Sequence, residues 1–247
     1  MRYFLEISFT GTNYKGWQIQ ANAHSVQAEI NKAIATLLAH EIKTTGCGRT
    51  DAGVHARQFF LHFDTDKKLS EHFIYKLNRI LPNDIAAKRL IPVEPDARSR
   101  QDATKRTYEY RVHLSKDPFL QDFSFYFPFG KPDIQKMNEA ACLLKSFKDF
   151  KPLSKTDTQE KTTICNIYFS EWKKTDENNL LYTITGDHFL RGMVRQIVGA
   201  MLMIGTGRMA VEEFRLVMKK KGRFRYVLAV PGCGLSLTKV MYPFLKP

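Results

Sequence analysis

The chain has 247 residues, of which 43% are hydrophobic, and it carries 38 Lys and Arg against 25 Asp and Glu. This length and apolar content suffice for the core of one large domain or two ordinary ones, which argues against a disordered chain. A net charge of +13 without a charged tail favours a polyanionic partner such as nucleic acid. Composition alone also permits an ordinary basic enzyme.

The membrane and secreted classes have little support in the sequence. The longest apolar stretch, residues 193–204, is shorter than a membrane span and is interrupted by Arg195 and Gln196. The first ten residues, MRYFLEISFT, predict a strand and not a signal peptide, so we expect a cytoplasmic protein. The four cysteines form no CxxC pair, so we expect no metal site, no disulfides and four buried thiols.

Strands alternate with helices in the first half of the chain. Period-two apolar patterns predict strands over 2–10, 41–47 and 58–64. Helical spacing predicts one helix that Ser25 caps, and a second that Ser70 caps and Pro82 ends. Residues 92–104 are rich in Pro and charge, which places a domain junction there and predicts domains over 1–100 and 101–247.

The second half repeats this alternation. Strands are predicted over 106–114, 162–172, 180–185 and 234–240. Helices are predicted from Asp133 onward and over 188–204 and 211–221. The pattern predicts an α+β fold of two domains, each a mainly antiparallel sheet with helices on one face, and an active-site cleft between them.

The loop GRTDAGVH, residues 48–55, is the densest chemical signal in the chain. Gly48 and Gly53 permit tight or left-handed turns and the close approach of a ligand. The guanidinium of Arg49, two residues away, would keep the Asp51 carboxylate ionised. Taken alone, the same letters also suit a plain turn with a capping Asp and a solvated Arg, because Asp and Gly dominate turns.

This loop resembles the signature loop of the tRNA pseudouridine synthase A family. Other segments match that family in the same order: YKGWQIQ (14–20), LPNDI (81–85), ATKRTYEYRV (103–112), HFLRGMVRQIVGAMLMIGTGR (188–208) and GLSL (234–237). The resemblance covers nearly the whole chain and implies an isomerase that converts uridine to pseudouridine at positions 38, 39 and 40 of the tRNA anticodon stem-loop. It also implies a homodimer that needs no metal, cofactor or ATP, with each tRNA touching both subunits.

The resemblance assigns roles to individual residues. Asp51 is implied to be the catalytic aspartate, and Arg49 to take the place of the flipped base. Tyr108 is implied to stack on the target uracil, and Arg195 to pair with the catalytic carboxylate. From the residues alone, a strand tyrosine beside Tyr110 is equally a core aromatic, and a helical arginine is usually a surface residue, although the neighbours of Arg195 are apolar.

Three further positions are expected to contact the substrate. Arg100 and Arg106, together with Arg49, are expected to neutralise RNA phosphates. His55 either contacts RNA or only supports the turn that follows Asp51, and the sequence leaves both open.

The chain departs from the family pattern in two places. The usual HARF segment is replaced by RSRQ, residues 98–101, and the usual DFxSF segment by DFKPL, residues 149–153. Both changes leave open a paralogue with a shifted target uridine. The sequence also permits a non-catalytic tRNA-binding protein or a small-molecule enzyme such as a glycoside hydrolase, although glycoside hydrolysis usually needs two cooperating acids and the loop offers one.

Overall fold

A computed structural model describes residues 1–154, 162–226 and 229–245. Its strands are β1 (Arg2–Phe9), β2 (Thr45–Gly46), β3 (His55–Asp64), β4 (Ile85–Val93), β5 (Lys105–His113), β6 (Phe125–Tyr126), β7 (Ile167–Lys174), β8 (Asn179–Gly186) and β9 (Leu235–Met241). Its α-helices are α1 (Val26–Leu38), α2 (Phe73–Ile80), α3 (Ile134–Leu143), α4 (Met193–Gly205) and α5 (Val211–Lys220). This mixture of helices and strands confirms the predicted α+β class.

The chain divides into two compact units. The first comprises Met1–Thr104 and Ser236–Pro247, and the second comprises Lys105–Leu235. The chain therefore returns to the first unit with nearly all of β9. The division into functional domains over 1–100 and 101–247 stays a prediction.

The first unit is built on a sheet in the order β4-β1-β3-β9, with β2 beside β3. Strand β1 pairs antiparallel with β3 and β4, and β9 pairs parallel with β3. The central strand β1 is buried on both of its faces, because Phe4 and Leu5 are both fully inaccessible. On one face Phe4 packs edge-on against Tyr242, and on the other Phe63 of β3 stacks with Phe73 of α2.

Several local predictions in this unit are confirmed and others are wrong. Ser25 caps α1 and accepts a hydrogen bond from the Ala28 amide, as predicted. Ser70 does not cap α2 with its side chain, because the helix begins only at Phe73 and has no side-chain cap. Strand β4 was not predicted, since it is an edge strand with exposed cations and no regular apolar alternation.

The second unit contains a sheet in the order β5-β8-β7, with β6 parallel to β5. Its core is a row of aromatic side chains that lie opposite one another on the three strands: Tyr110, Tyr182 and Trp172. The rings of Tyr182 and Trp172 stack at 5.0 Å, and the Trp172 indole N–H donates to the sulfur of Met201 in α4. The face that carries Tyr110 is thus the buried face, and it packs against α4.

Two predictions in the second unit need correction. Helix α4 begins at Met193 and not at residue 188, because Gly192 has a φ of 71° and cannot continue a helix. Arg191 therefore precedes the helix and does not share a helical face with Arg195. The prediction of four buried thiols is wrong for Cys142, which is exposed, and for Cys233, which is half-buried. Cys165, and Cys47 of the first unit, are buried as expected. In the described part of the chain, no helix is long and apolar enough to cross a membrane.

Candidate active site

The loop that carries Asp51 is held by the segment that follows β1. The Gly53 amide donates to the carbonyl of Tyr14 at 3.3 Å, and the Trp17 amide donates to the carbonyl of Thr50 at 3.3 Å. Residues 50–53 are therefore bracketed on both sides of Asp51 by one neighbouring segment. We call this segment, residues 11–17, the clasp.

The clasp and the loop approach so closely that only glycine fits at two points. A Cβ atom on Gly16 would lie 2.2 Å from the carbonyl oxygen of Thr50, and one on Gly11 would lie 2.1 Å from that of Val54. Gly16 also has a φ of 100°, which L side chains rarely adopt. Direct contact between backbones fixes the position of residue 51 more tightly than contact through flexible side chains.

A partly buried hydrogen bond connects the clasp to the turn before β4. The Tyr14 hydroxyl donates to one carboxylate oxygen of Asp84 at 2.6 Å, and the side-chain amide of Asn13 donates to the other carboxylate oxygen at 3.2 Å. Burial, followed by this bond to Asp84, raises the pKa of the Tyr14 phenol far above its ordinary value. Tyr14 belongs to the segment YKGWQIQ and Asp84 to the segment LPNDI. These two motifs, which had no assigned role, therefore support the loop GRTDAGVH.

Asp51 itself is half-buried, whereas Arg49 is exposed. The hydroxyl of Thr50 between them is buried and makes no hydrogen bond to any residue that the structure describes. Of the two loop glycines, only Gly53 needs its conformational freedom, since its φ is 74°. A Cβ atom on Gly48 would meet open space, so this side of the loop leaves room for a ligand.

The other two candidate residues of the first unit differ in accessibility. His55 is 4% exposed, and its Nδ1 accepts a hydrogen bond from the Gly11 amide at 2.9 Å. This arrangement favours the supporting role that the sequence left open for His55. Arg100 is exposed, as a phosphate contact requires.

In the second unit, Tyr108 lies on the buried face of β5. Its ring is 9% exposed and meets Phe189 edge-on, with centroids 5.3 Å apart and an interplanar angle of 88°. Phe189 precedes α4 in the segment HFLRGMVR and was not singled out in the sequence. The pair fixes the orientation of the Tyr108 ring.

Arg106 also contacts the segment before α4. It is 8% exposed, and its guanidinium donates to the carbonyl of Asp187 at 2.7 Å. The Asp187 carboxylate accepts bonds from the Asn166 side chain at 2.7 Å and from the His188 amide at 2.7 Å. Although burial alone would raise the pKa of Asp187, these hydrogen bonds outweigh burial and lower it. Arg106 thus has a positioning contact, and its burial gives less support to the expected phosphate contact.

Arg195 lies in the first turn of α4 and is partly exposed. Its Nε donates to the carbonyl of Val230 at 2.6 Å, and the Val230 amide donates back to the Arg195 carbonyl at 3.4 Å. One side of the guanidinium is therefore bound to the chain that leads into β9. This contact orients the side chain in a way that the sequence could not indicate.

The candidate residues fall into two groups. Asp51, Arg49, His55 and Arg100 belong to the first compact unit, and Tyr108, Arg106 and Arg195 belong to the second. In the first unit, backbone contacts with the clasp hold the Asp51 loop. In the second unit, Tyr108 and Arg106 contact the segment before α4. A partly accessible carboxylate on a rigid loop of an α+β scaffold is typical of an enzyme site.

Comparison with known proteins identifies the class of enzyme. The sequence profile of the tRNA pseudouridine synthase family matches residues 140–243. A chain from Bacteroides thetaiotaomicron named tRNA pseudouridine synthase A is 44% identical over 98% of this chain and 91% of the relative. One from Bacteroides fragilis is 43% identical over 98% and 96%, and one from Staphylococcus aureus is 33% identical over 97% and 91%. The chain belongs to the tRNA pseudouridine synthase family.

Proposed function

We propose that this protein isomerises uridine to pseudouridine at positions 38, 39 and 40 of the tRNA anticodon stem-loop, with Asp51 as its catalytic residue. The isomerisation of tRNA uridine follows from membership of the family, and the protein is an isomerase. The observation that supports the role of Asp51 is the rigid clasp around the loop GRTDAGVH. Such precise placement of one carboxylate is what a reaction at a single sugar carbon requires.

The reaction breaks the bond from N1 of uracil to C1′ of the ribose and joins C5 to the same carbon. The proton on C5 is lost after the new bond forms, and N1 gains a proton, so atoms balance without a cofactor. An ionised Asp51 can attack C1′, stabilise the cation-like sugar, or remove a ribose proton. Each of these routes needs a charged carboxylate that is shielded from bulk water.

Three further side chains complete the proposed chemistry. Arg195 pairs with the Asp51 carboxylate in the bound state, and its bond to Val230 presets its orientation. Arg49, which is exposed, fills the space left by the flipped nucleotide. Tyr108 stacks on the displaced uracil, while Phe189 holds the ring edge-on.

The remaining assignments concern binding and assembly. Arg100 contacts phosphate, and Arg106 acts with it or through the segment at Asp187. His55 supports the loop through the hydrogen bond that its Nδ1 accepts from the Gly11 amide. The two compact units act as two domains with the active-site cleft between them, and the protein works in the cytoplasm as a homodimer without a metal or cofactor.

A second candidate function is a paralogue whose target uridine is shifted. It is favoured by the departures at residues 98–101 and 149–153. Arg98 and Arg100 are exposed, while Ser99 is fully buried and its hydroxyl donates to the Thr45 carbonyl at 2.8 Å. The replaced segment is therefore a fixed turn that presents two cations, and a different set of phosphates could lie against it.

Unmodified tRNA transcripts test both functions. Each transcript carries uridine at one position only among 38, 39 and 40, and each is incubated with the protein without cofactor, metal or ATP. The proposal predicts pseudouridine in all three transcripts. Product at a different uridine would favour the paralogue, and the absence of product from every transcript would contradict the assignment.

A further inference from the structure

A basic groove lies on the first unit's sheet, on the face opposite α2. It has a volume of about 400 Å³, and four cationic side chains line it: Arg57, Lys88, Arg89 and Lys239. They come from three strands, β3, β4 and β9, and all four are exposed. The groove is formed by the first unit alone.

Two irregularities in strand pairing occur at Arg57 and Lys88, two of these four cations. Ile7 of β1 faces Phe59 of β3, and Phe9 faces Ala56. The two residues between them on β3, Arg57 and Gln58, therefore oppose the single residue Ser8 of β1. A register shift also occurs between β1 and β4 beside Glu6, where Lys88 is the additional residue. A β-bulge redirects side chains that would otherwise alternate between faces. This explains why consecutive residues, Arg57 with Gln58 and Lys88 with Arg89, line one groove.

The floor of the groove is a closed polar network. Glu6 is 6% exposed and forms an ion pair with Arg89. Its carboxylate also accepts a hydrogen bond from the side-chain amide of Gln58 at 3.1 Å. The side-chain Oε1 of Gln58 in turn accepts a hydrogen bond from the backbone amide of Val240 at 2.9 Å. Glu6 thus neutralises Arg89, and the network holds β1, β3 and β9 together beneath the groove.

The charges of the other three cations, Arg57, Lys88 and Lys239, are not balanced in this way. Lys88 donates to the carbonyl of Arg57 at 2.6 Å, which satisfies a bulged backbone group without neutralising the charge. Within residues 1–154, 162–226 and 229–245, no carboxylate lies within ion-pair distance of Arg57, Lys88 or Lys239. Three uncompensated cations around one groove form a site for a polyanion.

The chemistry of the groove favours phosphate over bases. Its two aromatic residues, Phe60 and Tyr242, are 1% and 6% exposed, so neither ring offers a stacking surface. Exposed Arg and Lys heads without a stacking platform are typical of contact with a sugar-phosphate backbone. We infer that this bulge-built groove binds the phosphate backbone of tRNA. The inference rests on the proposed function and adds a binding site outside the loop of Asp51.

The double variant Arg57→Gln/Lys239→Gln tests this site. These two cations are chosen because Lys88 supports the bulge and Arg89 neutralises Glu6. Each lost phosphate contact should lower the slope of log affinity against log salt by about 0.9, so the double variant should lose about 1.8. Its affinity for unmodified tRNA should fall by more than its single-turnover rate at saturating tRNA.

Two sets of controls isolate the groove from total charge. Lys32→Gln/Lys76→Gln removes two exposed cations from α1 and α2 and should leave the slope near that of the wild type. Arg57→Lys/Lys239→Arg keeps both positive charges and should therefore have a slope near that of the wild type. Equal slopes and affinities for the groove variant and the α1/α2 variant would overturn the inference. A wild type that makes no pseudouridine would instead contradict the proposed function, so the two failures are distinct.

Discussion

Asp51 and Tyr108 are the residues on which the proposed chemistry depends, and each is oriented by neighbours far away in the sequence. Asp51 lies in a loop that touches Tyr14 and Trp17, more than 30 positions upstream. Tyr108 meets Phe189, which is about 80 positions downstream. Such contacts limit the movement of both residues, and catalysis by proximity tolerates a misplacement of only about 0.5 Å.

Tyr108→Phe separates a stacking role from a proton-transfer role. The phenylalanine ring keeps both the stacking surface and the edge-on contact with Phe189, so tRNA affinity should stay near that of the wild type. Turnover should fall by about 10²-fold or more, because we expect the hydroxyl to move the proton that leaves C5. Single-turnover rates and tRNA affinities measure the two effects. Tyr110→Phe, which removes the neighbouring hydroxyl bonded to the Pro231 carbonyl, is the control.

Tyr108→Ala should weaken tRNA binding by about 1–3 kcal/mol, because the stacking surface is lost. The residue is 9% exposed, so the same change also destabilises the fold, by up to about 3–5 kcal/mol. Affinity is therefore measured well below the unfolding temperature of the variant. Normal rates and affinities for both substitutions would make Tyr108 a core residue only.

At the scale of elements, the clasp is the feature that the sequence did not predict. The motif YKGWQIQ was recognised, but its function as a support for residues 48–55 depends on packing between segments about 40 positions apart. Local signals were sufficient where a cap or a turn is local, as with Ser25 and Asp133. They failed at β4, whose bulge and outward cations destroy the alternation, and at the start of α4.

Gly16→Ala tests the clasp. A methyl group there would lie 2.2 Å from the Thr50 carbonyl, so the loop must move and turnover should fall by about 10²-fold. Gly130→Ala is the matched control, since Gly130 has a similar φ of 89° but open space around its Cβ. Both variants should lose stability through backbone strain, by about 1 kcal/mol or more. Only Gly16→Ala should lose activity, and equal activities would contradict the role of the clasp.

Asp187→Asn tests the carboxylate that holds the segment before α4. Because hydrogen bonds lower the pKa of Asp187, its stabilising effect is present above its ordinary pKa of 3.8 and is lost as the pH falls through the lower folded value. The difference in unfolding free energy between wild type and variant should therefore be larger at about pH 5 than at about pH 3, because it shrinks below about pH 4. Urea titrations across this range measure it. A difference in unfolding free energy that does not change with pH would show that the charge of Asp187 does not stabilise the fold.

At the scale of the whole molecule, the aromatic run FSFYFPF, residues 123–129, suits either a dimer surface or the core of the second unit. The structure divides the run: Phe127 is 7% exposed, whereas Phe123 and Phe129 are 49% and 52% exposed. The nearby Phe119 is 93% exposed. These exposed rings form apolar surface on the second unit, as a subunit interface requires.

Sedimentation should detect a dimer at micromolar concentration. Phe119→Ser/Phe129→Ser should shift the equilibrium toward monomer, because it removes the apolar anchors of the expected interface. Tyr75→Ser, at a ring that is 68% exposed on α2, is the control and should not shift it. A wild type that sediments as a monomer would count against the dimer altogether.

The catalytic role of Asp51 is tested by Asp51→Asn, assayed for both pseudouridine formation and affinity on unmodified tRNA. The asparagine keeps the size of the side chain but removes its charge, so isomerisation should be abolished. Affinity should remain near that of the wild type, because phosphate contacts carry the binding. Asp66→Asn, at an exposed position of the same unit, should leave both quantities unchanged. Substantial turnover by Asp51→Asn would show that Asp51 is not the catalytic residue.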